Sequence, residues 1–422
     1  MLPTPCRAAA ALLLGMPALV AQAAPLSLDD ALRLAEARSY QLPAQEAAAA
    51  AARQRAVAAG QRPDPVLKIG LNNLPIDGQD RFSLTRDFMT MRSVGVMQEW
   101  TRPATLAARA ARFEHEAEVA EAGRQAALAD LQRETAIAWL DRHFQQRLRG
   151  LLQRQRGEAL LQVDATEAAH RGGRGAQADV LAARAAVLQI DDRLAAADRD
   201  SAAAGTALSR WVGQTVDDGL AAPPDMLATQ LREDTLERQM EAHPQLRLMR
   251  GQEATAAAEA EAVRAARRPD PSVELMFSQR GPAYSNMVSV NVSIPWPWDP
   301  KNRQDRNLAA SLAVVEQMRA LREEETRART AQARGALQQW QANRARLQRY
   351  ERDLLPLATD RTQAALAAYR GGSAPLTAVL DCRRAELDIR MDQLRLDMET
   401  ARLWAELRYL MPADTAPATP TR

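Results

Sequence analysis

The chain has 422 residues, 55 basic against 53 acidic side chains, and 46% apolar residues, with aromatics only 4% of the total. So even a charge balance leaves no electrostatic case for nucleic-acid binding. The apolar share rests on Ala, Leu and Val, which favours closely packed helices, and the length allows two or three domains.

The first residues read as a secretory leader spanning 1–23. Arg7 supplies the positive start, Ala8 to Val20 is apolar, and Ala21-Gln22-Ala23 places small residues at the cleavage positions. Cys6 falls inside this leader, so Cys382 is left alone and no intrachain disulfide is expected. Beyond it no run of ~18 apolar residues occurs, so no transmembrane helix is expected.

A helix is predicted from Ser27, whose side chain suits an N-cap, through the Ala tract to about Gly60. A strand pair follows from Pro65 to Trp100, with a long polar loop from Asn72 to Thr90. Pro103 then opens a helix without further Pro as far as Arg171, about 100 Å if unbroken. Gly172-Gly173 ends it, and a returning helix is predicted from Gln177 to Val212.

The second part copies the first. A helix is predicted from near Asp234 to Pro269, then a strand pair from Pro271 to Trp296. In the latter Val288, Val290, Val292 and Ile294 alternate with Ser289, Asn291 and Ser293. Asn302 is the expected cap of a helix reaching Tyr369 with an interruption at Pro356. After Gly371-Gly372 the last helix carries Leu380, Leu387 and Leu394, and Ile389, Leu396, Leu403 and Leu410, at coiled-coil spacing. The tail from 413 to 422 reads as disordered.

Three matches in the same order establish the duplication. Arg62-Pro-Asp-Pro65 returns 206 positions on as Arg268-Pro-Asp-Pro271. Ser93-Val-Gly-Val96 returns as Ser289-Val-Asn-Val292, in the register that aligns Trp100 with Trp296. Ala169-His-Arg-Gly-Gly173 returns as Ala368-Tyr-Arg-Gly-Gly372. The repeats are expected to cover 24–225 and 226–412, with a boundary between Asp217 and Met226.

Each strand pair has one apolar face, formed by Leu67, Ile69, Leu71, Val94 and Val96, and by Val273, Leu275, Phe277 and the Val288–Ile294 series. Such a sheet suits a soluble core or a membrane barrel. Trp100, Trp296 and Trp298 at strand ends favour a membrane-interface girdle. Four strands cannot close a barrel, so a membrane sheet must be shared between chains. The competing reading is a periplasmic coiled-coil scaffold with a soluble sheet.

The four His are scattered and read as surface or interface residues, and Met89, Met91, Met97, Met276 and Met287 read first as space-filling. With no phosphate loop and no nucleophile motif, no enzyme and no cofactor is expected.

These features together resemble the TolC-like outer-membrane efflux factors, over about residues 25 to 412. Gly95-Val-Met-Gln-Glu-Trp-Thr-Arg-Pro103 looks most like the heavy-metal branch. The resemblance implies a mainly α chain with long helical hairpins and four transmembrane strands, assembled as a homotrimer with a twelve-stranded barrel. It implies a passive conduit in the outer membrane of a Gram-negative bacterium, served by a periplasmic adaptor and an inner-membrane pump of RND type. The cargo it implies is heavy-metal cations, with small organic compounds or an exported polypeptide as alternatives.

On the same resemblance the turns Arg171-Gly172-Gly173-Arg174 and Arg370-Gly371-Gly372-Ser373 would meet the adaptor, and acidic residues near the second turn would ring a periplasmic gate. Here Asp381 stands in Ala378-Val-Leu-Asp381, and the first repeat offers Asp179 in Asp179-Val-Leu-Ala182. Some members of that family carry Asp-Val-Leu-Asp just after the second turn; with Ala at 378 only Asp381 of that pair remains, which leaves a single acidic ring in place of a double one.

Overall fold

A computed structural model describes residues 25–173, 175–216 and 219–413. The expected leader, Arg174, Asp217, Asp218 and nearly all of the C-terminal tail lie outside the described residues. Nine helices carry the architecture among those described: α1 (Leu28–Arg38), α2 (Gln41–Ala59), α3 (Pro103–Arg171), α4 (Gln177–Val212), α5 (Leu236–Met240), α6 (Pro244–Ala266), α7 (Gln304–Arg349), α8 (Leu355–Arg370) and α9 (Leu376–Arg408). Four strands, β1 (Val66–Asn72), β2 (Met91–Glu99), β3 (Ser272–Gln279) and β4 (Met287–Ser293), form one antiparallel sheet in the order β1-β2-β3-β4. Helix–strand pair–helix–helix occurs twice in the same order.

The spine is α3, whose 69 residues run about 100 Å. Towards the sheet it packs against α2 and α6; at its other end it pairs with α4. The closest approaches use small residues: Ala49, Ala52 and Ala56 of α2, Ala117 and Ala120 of α3, and Ala258 and Ala260 of α6 are all buried. Alanine at these spacings lets helix axes approach without leaving voids.

The main core lies midway along the spine, where Trp139, Leu140 and Phe144 meet Leu28, Leu32, Leu208, Leu236, Leu337, Trp404 and Leu407. Trp139 Nε1 donates to Leu26 O at 3.1 Å and Trp404 Nε1 to Ala228 O at 3.2 Å, so the indoles bury their rings and satisfy their one polar atom. Along α9, Leu387, Leu396 and Leu403 are buried, while Leu394 is partly buried against two clusters.

Ser27 caps α1 as expected, accepting the Asp30 N–H at 3.1 Å. Two other helix expectations need correction, and proline explains both. The helix predicted from Ser27 to Gly60 breaks at Ser39-Tyr40, because in a continuous helix the Pro43 ring would strike the Ser39 carbonyl. The helix predicted from Asp234 likewise ends at Met240, four residues before Pro244. At Pro356 the interruption takes another form. Residues Tyr350–Leu354 form a π turn, with the Leu355 N–H donating to Tyr350 O, and the helix continues.

Asn302 is not a cap. It bonds back to Asp299 through its N–H (3.2 Å) and its amide (2.9 Å), and α7 starts after Arg303 without a side-chain cap.

His243, expected at a surface or an interface, is buried within the chain. It is 8% exposed and caps α6, its Nδ1 accepting the Gln245 N–H at 3.2 Å, which requires the imidazole to be unprotonated there. Burial, followed by nearby Arg329, pushes its pKa down to about 4. A depressed histidine pKa means stability that is present above the unfolded value near 6.5 and lost as pH falls through 4. Asp397 acts in the opposite sense: burial raises its pKa to about 6, so its contribution declines as pH rises through that value. Replacing His243 with Asn keeps a capping acceptor and removes the titration. The loss of thermal stability between pH 6.5 and 4 should then shrink by an amount on the order of 2 kcal/mol per chain, measured by calorimetry at each pH.

Candidate functional site

The sheet places all the predicted apolar strand residues on one face. Its register pairs Leu67 with Val96, Ile69 with Val94, Val96 with Leu275, Val94 with Phe277, Leu275 with Val290, and Phe277 with Val288. These side chains lie in cross-strand rows and all are exposed, Ile69 to 78%. Single exposed apolar residues need no explanation, but an unbroken band over four strands does.

The opposite face is polar or small: Lys68, Gly70, Ser93, Gly95, Glu274, Ser278, Ser289 and Asn291, with Met97, Met276 and Met287 among them. Lys68 Nζ lies 2.8 Å from Glu274 Oε2, an ion pair reaching across β2. Lys68 and Glu274 are repeat mates, 206 positions apart. The alignment of the two Arg-Pro-Asp-Pro segments already contained this charge reversal, so the pair was findable from sequence and was missed.

Gly95 is required by close approach, since a Cβ there would stand 2.7 Å from Leu275 O.

Trp100, Trp296 and Trp298 follow the strand ends that join the sheet to the helices, and they are 51, 80 and 90% exposed. The Trp100 N–H donates to Pro271 O at 2.7 Å, and Arg62 lies over its ring at 4.8 Å. Arg102 Nε, 3.0 Å from Asp270 Oδ1, ties the start of α3 to the second Arg-Pro-Asp-Pro segment.

At the far end of the sheet Phe82, Phe88 and Tyr284 are exposed as well. Sequence reasoning did not single them out, because they lie in loops without periodicity. Arg280 holds that end together, with Nε donating to Phe88 O at 2.9 Å and the guanidinium 5.1 Å over Tyr284.

The two glycine turns sit at the other extreme of the molecule and match closely. Arg171 and Arg370 are the last residues of α3 and α8. Gly172 and Gly371 have φ of −81° and −78°, and Gly173 and Gly372 have φ of +72° and +73°. The N–H of Gly173 donates to His170 O and that of Gly372 to Tyr369 O, each at 3.0 Å. A Cβ at Gly173 or Gly372 would meet nothing, so backbone conformation alone demands glycine there.

The first turn continues through His170 Nδ1, 3.0 Å from Gly175 O. In the second, Ser373 Oγ donates to Ala368 O at 3.0 Å.

The two gate candidates occupy different settings. The Asp179 carboxylate accepts the Ala176 N–H at 3.3 Å and so closes the start of α4. Asp381 is exposed, on the wall of a groove of about 290 Å³ that Gln155, Ala182, Gln189, Thr377 and Leu387 also line. Arg193 Nη1 joins α4 to α9 beside this groove, 2.7 Å from Asp388 Oδ1.

Neither a protein-family model nor a curated protein matches the chain. Solved structures do. The outer-membrane channel OprN aligns with a TM-score of 0.76 at 19% identity, over 92% of this chain and 91% of its own. CusC, described for its folding and transmembrane channel formation, aligns with a TM-score of 0.74 at 16% identity, over 92% of each chain. The open state of the Neisseria gonorrhoeae outer-membrane channel MtrE aligns with a TM-score of 0.74 at 16% identity, over 93% and 91%. At such identities the likeness shows the fold, which is that of these outer-membrane channels from end to end.

The glycine turns allow a local test. Gly372→Ala forces an L side chain into the left-handed region at a cost of about 1 kcal/mol. Amide exchange around Gly371–Ser373 should quicken about fivefold, while the global melting midpoint falls only slightly, by no more than about that 1 kcal/mol allows.

Proposed function

We propose that this chain is a TolC-like outer-membrane efflux factor. It is a homotrimeric, passive conduit that receives heavy-metal cations from a periplasmic adaptor and an RND-type inner-membrane pump and releases them outside the cell. One observation carries the reading: a four-stranded sheet with an entirely exposed apolar face, open at both edges, mounted on the ends of long helices. Lipid is the solvent that suits the apolar face. Open edges in lipid leave backbone groups unpaired at several kcal/mol each, so the sheet must close through other copies.

Three copies give twelve strands and room for a lumen, whereas two give eight and a barrel filled by side chains. The nine residues of β2 meet the lower end of the ~9–11 that a tilted membrane strand needs, and Ile294 extends the apolar face past β4. No helix among the described residues is long and apolar enough to cross a membrane, which bears on helices alone.

Within this reading Trp100, Trp296 and Trp298 form the girdle at the periplasmic interface. The turns at Arg171–Arg174 and Arg370–Ser373 receive the adaptor. Asp381, with its carboxylate free of a helix cap, is the acidic residue of the gate, while Asp179 serves α4. The preference for metal cations rests on the likeness of Gly95–Pro103 to the heavy-metal branch.

The mature protein should require detergent for extraction and run as a heat-sensitive trimer on a denaturing gel. A strain lacking it should become sensitive to particular metal ions within a panel of metals and drugs. A water-soluble monomer or dimer overturns the reading. In planar bilayers Asp381→Asn should change conductance or relieve block by cations, and an unaltered channel removes Asp381 from the gate.

A further inference from the structure

The internal duplication and the strand register together fix more than the number of strands. Two mappings relate the repeats: residues of β1 correspond to those of β3 at 206 positions on, and residues of β2 to those of β4 at 196 positions on. The structure checks both. Leu67 pairs with Val96 in the first hairpin and their mates Val273 and Val292 pair in the second; Ile69 with Val94 becomes Leu275 with Val290; Gly70 with Ser93 becomes Met276 with Ser289. The hairpins are therefore the same object in the same register.

Between the hairpins, β2 pairs with β3. That junction joins the second strand of one repeat to the first strand of the next. The unpaired edges, β4 and β1, are again a second strand and a first strand. Resting on the trimeric reading above, we infer that β4 of one chain pairs with β1 of the next in the register that β2 and β3 already use. Applied to that pairing, the two mappings set Ile294 opposite Leu67 of the next copy, Val292 opposite Ile69, Val290 opposite Leu71, and Ser289 opposite Asn72.

The side chains agree with this placement. Ile294, Val292 and Val290 meet apolar residues and Ser293 and Ser289 meet the polar Lys68 and Asn72, as the shared faces of the two repeats require. Close approach is met too. Inside the chain Gly95 stands opposite Met276, where a Cβ on Gly95 would crowd the neighbouring backbone. Between chains Asn291 stands opposite Gly70, so each pair again contains one glycine, now on the other strand. The Trp100 N–H to Pro271 O bond has its counterpart in the Trp296 N–H and Pro65 O of the next copy. That contact would cover part of an indole that a single chain leaves 80% exposed.

Paired cysteines test the register. In a Cys382→Ser background, N72C/S289C should oxidise to a covalent trimer that survives boiling without reductant. Each single variant, and N72C/S293C with its second site about 13 Å further along the strand, should run as monomer after boiling. I69C/V292C on the apolar face reads the same register should the first pair impair assembly. A protein that is trimeric before boiling but does not link through either matched pair, or that links through N72C/S293C, overturns the register alone. A protein that stays monomeric in detergent by light scattering overturns the trimer and the register with it.

Discussion

Unpaired backbone on the two edges of the sheet is the constraint from which the rest follows. β1 and β4 each present a row of N–H and C=O groups with no strand partner among the described residues, next to an exposed apolar face. A soluble protein hides such edges behind charge, proline or a covering helix. Here, among the described residues, the strands pair only with one another, and the chain invests its packing elsewhere: the core lies in the middle of the helices, far from the sheet. The sheet is thus the part that a single chain cannot complete.

Long helices then serve distance more than compactness. α3 passes through the central core and belongs to two different packing environments on either side of it, with α2 and α6 towards the sheet and α4 towards the glycine turn. A polar clamp adds to this packing. Gln132, nearly fully buried, donates to Ala413 O and accepts the Ala413 N–H, both at 2.8 Å, and also donates to Glu36. One side chain so ties both ends of the described chain to the middle of the spine. No sequence pattern announces it, because a lone glutamine within a helix reads as solvated.

The sequence was most legible where local rules act without help. The ends of α3 and α4, the Ser27 cap, the strand faces and the glycine turns all follow from residues within a few positions of each other. The proline-driven breaks at Pro43 and Pro244 were legible by the same rule and were passed over, since the Ala-rich and charged surroundings of each read as uninterrupted helix. Pro356 shows the limit of that rule: the same clash is absorbed by widening one turn, and the helix runs on into α8 against α9. Groups whose role depends on distant partners, such as buried His243 and Gln132, lay beyond a reading of one segment at a time.

The Lys68–Glu274 ion pair has a consequence for permeation. Both residues lie on the face opposite the apolar one, on alternate strands, and are each other's repeat mates. In a barrel closed in the inferred register, every Lys68 has a Glu274 on each side, its own and that of the adjoining copy. The lumen would then carry an alternating collar of three ammonium and three carboxylate groups. Such a collar is electroneutral, and its field dies away within about the spacing of its charges. It would give cations and anions similar passage, and in such a barrel discrimination between them would have to be exercised before the cargo enters.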